Sequence, residues 1–80
     1  MSVLAREGTV ATLSGRRVGI GNVWPATHGR TAPTVTLHFD DDTKVEAEAG
    51  TVLELEPDRW RVVAILEGHP HGQVTFEPEA

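Results

Sequence analysis

The chain has no cysteine and no tyrosine, one methionine, and among its 80 residues only two tryptophans and two phenylalanines. Without cysteine there can be no disulfide staple, no thiolate metal site and no cysteine nucleophile. A single domain over residues 1–80 must then be held by its apolar core alone, with a net stability on the order of 0.05–0.15 kcal/mol per residue. So few aromatics leave little for stacking on bases, and the pI near 5.2 opposes phosphate backbones, so no nucleic-acid partner is expected. No apolar run approaches the roughly 18 residues of a membrane span. The opening MSVLAREGTV lacks the basic start and apolar stretch of a secretory signal, so a cytoplasmic protein with no membrane partner is expected. Helical periodicity is also missing, since no segment sustains apolar residues at i, i+3, i+4 and i+7.

What is present is alternation. From Thr34 to Leu66 apolar and polar residues alternate through three turn-like interruptions, the pattern of a β-meander. Thr34–Phe39 directs Val35, Leu37 and Phe39 inward, and Asp40, Asp41 and Asp42 make a turn. Thr43–Glu48 follows with Val45 and Ala47 inward. In Thr51–Glu56 the order Val52, Leu53, Leu55 breaks strict alternation and suggests a bulge. Arg59–Glu67 carries Trp60, Val62, Ala64 and Leu66 on one face with Val63 and Ile65 on the other, as a central or barrel-lining strand would. Upstream, Thr9–Leu13 and Arg16–Trp24 read as strands, the second weakened by Gly19 and Gly21 and so a site for a bulge or a close backbone approach. Downstream, Gln73–Glu77 closes the fold with Val74 and Phe76 inward, leaving residues 78–80 as a frayed tail. The expected fold is all-β, a small antiparallel β-barrel or β-sandwich of six to seven short strands.

Charge is unevenly spread. Up to Pro33 four arginines face one glutamate, for +3, whereas from Thr34 onward one lysine and two arginines face four aspartates and seven glutamates, for −8. These regions make a dipole if they occupy different surfaces and cancel if their strands pair. Glu46, Glu48, Glu54 and Glu56 suggest an acidic stripe across neighbouring strands. The segment Pro25–Pro33, PATHGRTAP, is the longest irregular stretch and the natural loop for contact.

Catalytic signatures are weak. Ser14, His28 or His38 and an aspartate can be assembled into a triad on paper, yet no nucleophile elbow accompanies them. Gly19–Asn22, GIGN, is not followed by a helix, so it does not read as a phosphate loop. Asp40–Asp42 lacks the EF-hand spacing and has Lys44 beside it. His69 and His71, at i and i+2, are the candidate metal ligands, although an exposed turn explains them as well, and no cofactor is expected.

The segment AGTVLELEPDRWRVVAI, Ala49–Ile65, with Val35-Thr36-Leu37 upstream, resembles small uncharacterised all-β proteins of actinobacteria over residues 35–65. The GIGNVWPATHGR stretch departs from that pattern. The resemblance implies a fold and a source, consistent with arginine outnumbering lysine, and carries over no site residue.

The functional expectation is a non-enzymatic binding module that engages a protein partner through the 25–33 loop or an acidic sheet face, with Trp24, His28, Arg30, His38, Glu46 and Glu48 as contact residues. Two alternatives stand beside it: a small-ligand or metal-binding barrel, and a homo-oligomeric structural protein.

Overall fold

Alternation resolves into eight strands: β1 (Val3–Arg6), β2 (Val10–Leu13), β3 (Arg16–Trp24), β4 (Thr34–Phe39), β5 (Lys44–Glu48), β6 (Val52–Leu55), β7 (Asp58–Leu66) and β8 (Gln73–Glu79). The computed structural model describes residues 2–26, 31–68 and 71–79. The strands form two four-stranded antiparallel sheets, ordered β2-β3-β4-β5 and β1-β8-β7-β6. The architecture is an open two-sheet sandwich and not a closed barrel, with eight strands where six or seven were expected. The additional strand, β1, is a short segment whose pairing partner, β8, lies at the far end of the chain.

Each sheet turns one apolar face inward because side chains alternate along a strand. Leu13, Val18, Val35, Leu37, Val62, Val74 and Phe76 are almost wholly removed from water, and Ala5, Ala11, Ile20, Ala47, Leu53, Leu55, Trp60 and Ile65 complete the core. Phe39 is half-buried against that cluster and Val45 is also half-buried. Each large side chain so buried contributes about 1.5–3 kcal/mol.

The turns carry their own local logic. At Ser14-Gly15, between β2 and β3, both central residues have positive φ (53° and 77°), the hairpin geometry whose twist suits the flanking strands. Asp42, in the turn between β4 and β5, also has positive φ (69°), a conformation aspartate tolerates better than most residues. The Glu56-Pro57 peptide between β6 and β7 is cis.

Bulges account for the remaining differences. One lies in β3 between Ile20 and Val23, next to the glycines that suggested it. The other is in β7, between Val62 and Ala64, and not in β6, whose pairing with β7 is regular. The extra residue reverses the facing of everything after it. Ile65 is therefore buried, while Leu66 and Val63 are exposed, so β7 is central in its sheet yet not apolar-buried on both faces. Pro78 and Glu79 belong to the β7–β8 ladder, opposite Trp60 and Arg59, and are not a loose tail.

Candidate functional site

The sheet β2-β3-β4-β5 brings four of the expected contact residues onto its outer face. Antiparallel partners point to the same side, so the register sets two rows: Trp24, Thr34 and Glu48 in one, Gly19, His38 and Lys44 in another. Thr36 and Glu46 pair between them. Trp24 is 41% exposed and its indole Nε1 donates to Thr36 Oγ1 at 3.3 Å. The Thr34 hydroxyl donates to Glu46 Oε1 at 2.9 Å. Two side-chain bonds thus cross this face, one from β3 to β4 and one from β4 to β5.

The centre of this face is kept thin by glycine. A Cβ on Gly21 would stand 2.9 Å from the Thr36 carbonyl oxygen and 3.0 Å from His38 Nε2. The imidazole of His38 therefore occupies space that any side chain at position 21 would take. At Gly19 a Cβ would meet only ordinary contacts, 3.5 Å from His38 Cβ. Sequence reasoning marked both glycines as weak points in a strand, while the link from Gly21 to His38 is a cross-strand property.

Trp24 ends β3 and Thr34 begins β4, so the 25–33 segment springs from the same end of this face. His28, Arg30 and His69 lie outside the described residues. His71 is exposed and lies near Glu7. Among the described residues no group of three or more His, Cys, Asp or Glu side chains is placed to hold a metal ion.

The expected four-glutamate stripe is not continuous. Glu46 and Glu48 stand on β5 in one sheet, Glu54 on β6 in the other, and Glu56 in the turn after it. Consecutive strands β5 and β6 cross between the sheets instead of pairing, which separates the glutamates. Glu54 lies 3.8 Å from Arg59, and Glu79 lies 3.1 Å from Arg61. The +3 and −8 regions interleave, since β1 pairs with β8 and β3 with β4.

Two further polar arrangements were not foreseen. The Glu7 carboxylate accepts the Val23 N–H at 2.8 Å and the Gly72 N–H at 3.0 Å, tying the β1–β2 corner to β3 and to the residue that precedes β8. The hydrogen bond from Gly72, then that from Val23, with a smaller contribution from the nearby His71, hold its pKa below the usual carboxylate value. Ser14, a paper candidate for a nucleophile, donates to Asp58 Oδ2 at 2.6 Å and accepts the Trp60 indole N–H at 2.8 Å. On the turn between β4 and β5, Asp40 is held below its usual pKa by its hydrogen bond with Arg16 at 2.8 Å. Asp41 is held below its own by hydrogen bonding to Thr43. The aspartate triplet is thus accounted for as hairpin chemistry.

A groove of about 290 Å³ opens where β5 and β6 diverge, lined by Phe39, Val45, Val52, Leu53 and Leu55 together with Arg16 and Asp41. Trp24 and His38 do not line it. Fold and face define an all-β two-sheet sandwich with a mixed aromatic and acidic outer surface. Compared with known proteins, the chain matches no family model, no curated protein and no solved structure.

Proposed function

We propose that the protein is a non-catalytic binding module that engages a basic segment of a protein partner on the outer face of β2-β3-β4-β5, at the end from which the 25–33 loop emerges. The observation that carries this reading is the placement of an exposed indole, Trp24, in the same sheet row as the Glu48 carboxylate, with Glu46 on the neighbouring row. An indole attracts a lysine or arginine side chain by cation–π interaction, and adjacent carboxylates add charge complementarity that favours rapid encounter.

The test uses Lys/Arg-containing peptides and charge-neutral counterparts, titrated into the labelled protein at low and high salt. Salt-sensitive shifts for the basic peptides at the Trp24 indole, Thr36, Glu46 and Glu48 are expected, weakened by Trp24→Ala and by Glu46→Gln/Glu48→Gln. Shifts confined to the other sheet, or binding indifferent to salt and to these changes, would remove the proposal.

Self-association is a second reading, favoured by a separate observation. On the outer face of the other sheet Leu4 is 63% exposed and Leu66 56% exposed, and Val63 at the β7 bulge is exposed as well. Light scattering across a concentration series decides it, since a strict monomer at high concentration excludes it.

A further inference from the structure

One numerical relation runs through both sheets. The β2–β3 ladder pairs Val10 with Gly19, Ala11 with Val18, Thr12 with Arg17 and Leu13 with Arg16. Adding 42 to every number yields the β6–β7 ladder, Val52 with Arg61, Leu53 with Trp60, Glu54 with Arg59 and Leu55 with Asp58. The bulges coincide: Ile20↔Leu37 is followed by Val23↔Val35, and Val62↔Phe76 by Ile65↔Val74, three residues advancing against two in both. The edge strands obey the same mapping, Ala5↔Val74 answering to Ala47↔Val35 and Arg6↔Gln73 to Glu48↔Thr34.

The corners between sheets repeat down to single hydrogen bonds. Gly8 N donates to Ile20 O at 2.8 Å and Ile20 N to Thr9 O at 2.8 Å; Gly50 N donates to Val62 O at 2.7 Å and Val62 N to Thr51 O at 2.9 Å. Gly8 and Gly50 have φ of 85° and 97°. The grooves beside the corners match too, Val3, Thr9, Val10 and Ala11 lining one where Val45, Thr51, Val52 and Leu53 line the other.

Residue identity follows geometry. Gly8-Thr9-Val10 equals Gly50-Thr51-Val52, and Val3, Ala5, Leu13 and Arg17 equal Val45, Ala47, Leu55 and Arg59. Val35-Thr36 equals Val74-Thr75 at a shift of 39, because residues 67–72 between β7 and β8 are three fewer than residues 25–33 between β3 and β4. The positive φ explains the glycines. It does not explain Thr9/Thr51, Val10/Val52 or the exposed Arg17/Arg59 pair.

We infer that the chain is a tandem duplication: two copies of one four-stranded unit, β1–β4 and β5–β8, each lending its first strand to the sheet of the other. The molecule is a single-chain form of a two-fold, strand-exchanged dimer. The two copies have diverged on their outer faces, where Trp24 and Glu46 of one sheet occupy the places of Leu66 and Leu4 in the other. The surface proposed for a basic segment therefore exists on one sheet only, assembled from β3 of the first copy and β5 of the second, while the inference of duplication stands independently of what that surface binds.

Equivalence makes a quantitative demand on chain connection. Phe39 and Lys44, joined through the four residues Asp40–Thr43, correspond to Pro78 and Ser2. Joining Ala80 to Met1 through one glycine makes a linker of the same length, with the glycine at the place of Asp42, whose φ is 69°. A circular permutant closed this way and opened between Asp41 and Asp42 is expected to fold as a monomer. It is also expected to melt no lower than a permutant closed by six Gly/Ser residues. Higher stability with the longer linker would overturn the equivalence of the two connections. In the intact chain, Gly8→Ala and Gly50→Ala are expected to lower the melting temperature by similar amounts, and a loss at one corner only would overturn the inference independently of the permutants.

Discussion

The indole Nε1 of Trp60 donates a hydrogen bond to Ser14 Oγ at 2.8 Å, and the two residues lie 46 positions apart on opposite sheets. The Ser14 hydroxyl in turn donates to Asp58 Oδ2 at 2.6 Å, so one hydroxyl at the β2–β3 turn satisfies the largest side chain of the opposite sheet. A buried indole N–H left unpaired costs roughly 1–3 kcal/mol. Trp60→Ala should remove a core anchor and cost on the order of 3–5 kcal/mol, comparable with the whole stability of so small a domain. Trp60→Phe and Ser14→Ala should each cost about 1–2 kcal/mol, and their double-mutant cycle in urea should show coupling. Strict additivity would deny the hydrogen bond an energetic role.

Glu7 should make the fold sensitive to acid. Its pKa is lowered in the folded state relative to 4.5, so its contribution is complete above that value and is lost as pH falls through the lowered folded value. Glu7→Gln should flatten the stability profile on the acid side of pH 4.5 while costing about 1–2 kcal/mol near neutrality. Chemical denaturation at pH 3, 4, 5 and 7 for both proteins reads this directly. Parallel profiles would show that the Val23 and Gly72 amides do not favour the ionised form.

Gly21 and Gly19 should respond differently to the same added methyl group. Gly21→Ala meets a backbone oxygen that cannot swing away, so a loss of about 1–3 kcal/mol and a shifted His38 imidazole signal are expected. Gly19→Ala meets ordinary contacts and should stay within about 1 kcal/mol of the parent. Equal effects at the two positions would mean that the His38 ring is not held over Gly21.

At the β4–β5 turn, Asp42→Gly should be neutral or slightly stabilising because φ is 69° there. Asp42→Val should cost about 1–2 kcal/mol, since a β-branched side chain is strained in the left-handed region. Thermal melts of the two variants give the ordering, and a valine variant as stable as the glycine variant would contradict this turn geometry.

Much of the fold was legible in local pattern. Val35 and Leu37, and Val74 and Phe76, face inward by alternation and are buried, because within an uninterrupted strand the facing of one residue sets that of the next. The candidate face was legible in part: Trp24, His38, Glu46 and Glu48 were singled out separately, and sheet register brings them together. The duplication was also written in the chain, as EGTV at 7–10 and AGTV at 49–52, but so short a match acquires meaning only when the ladders around it repeat.

By itself the sequence determined the strands other than β1, their turns and most of their inward faces, since these follow from a two-residue period and from the φ that glycine and aspartate tolerate. Only the tertiary structure decided that β5 and β6 belong to different sheets, that the bulge in β7 buries Ile65 and exposes Leu66, and that Glu7 closes on the amides of Val23 in β3 and of Gly72 just before β8. Those outcomes depend on which strand edges meet across long stretches of chain. An amide or carbonyl at a strand edge carries no mark of its partner, and the choice is made collectively, when both apolar faces are covered at once.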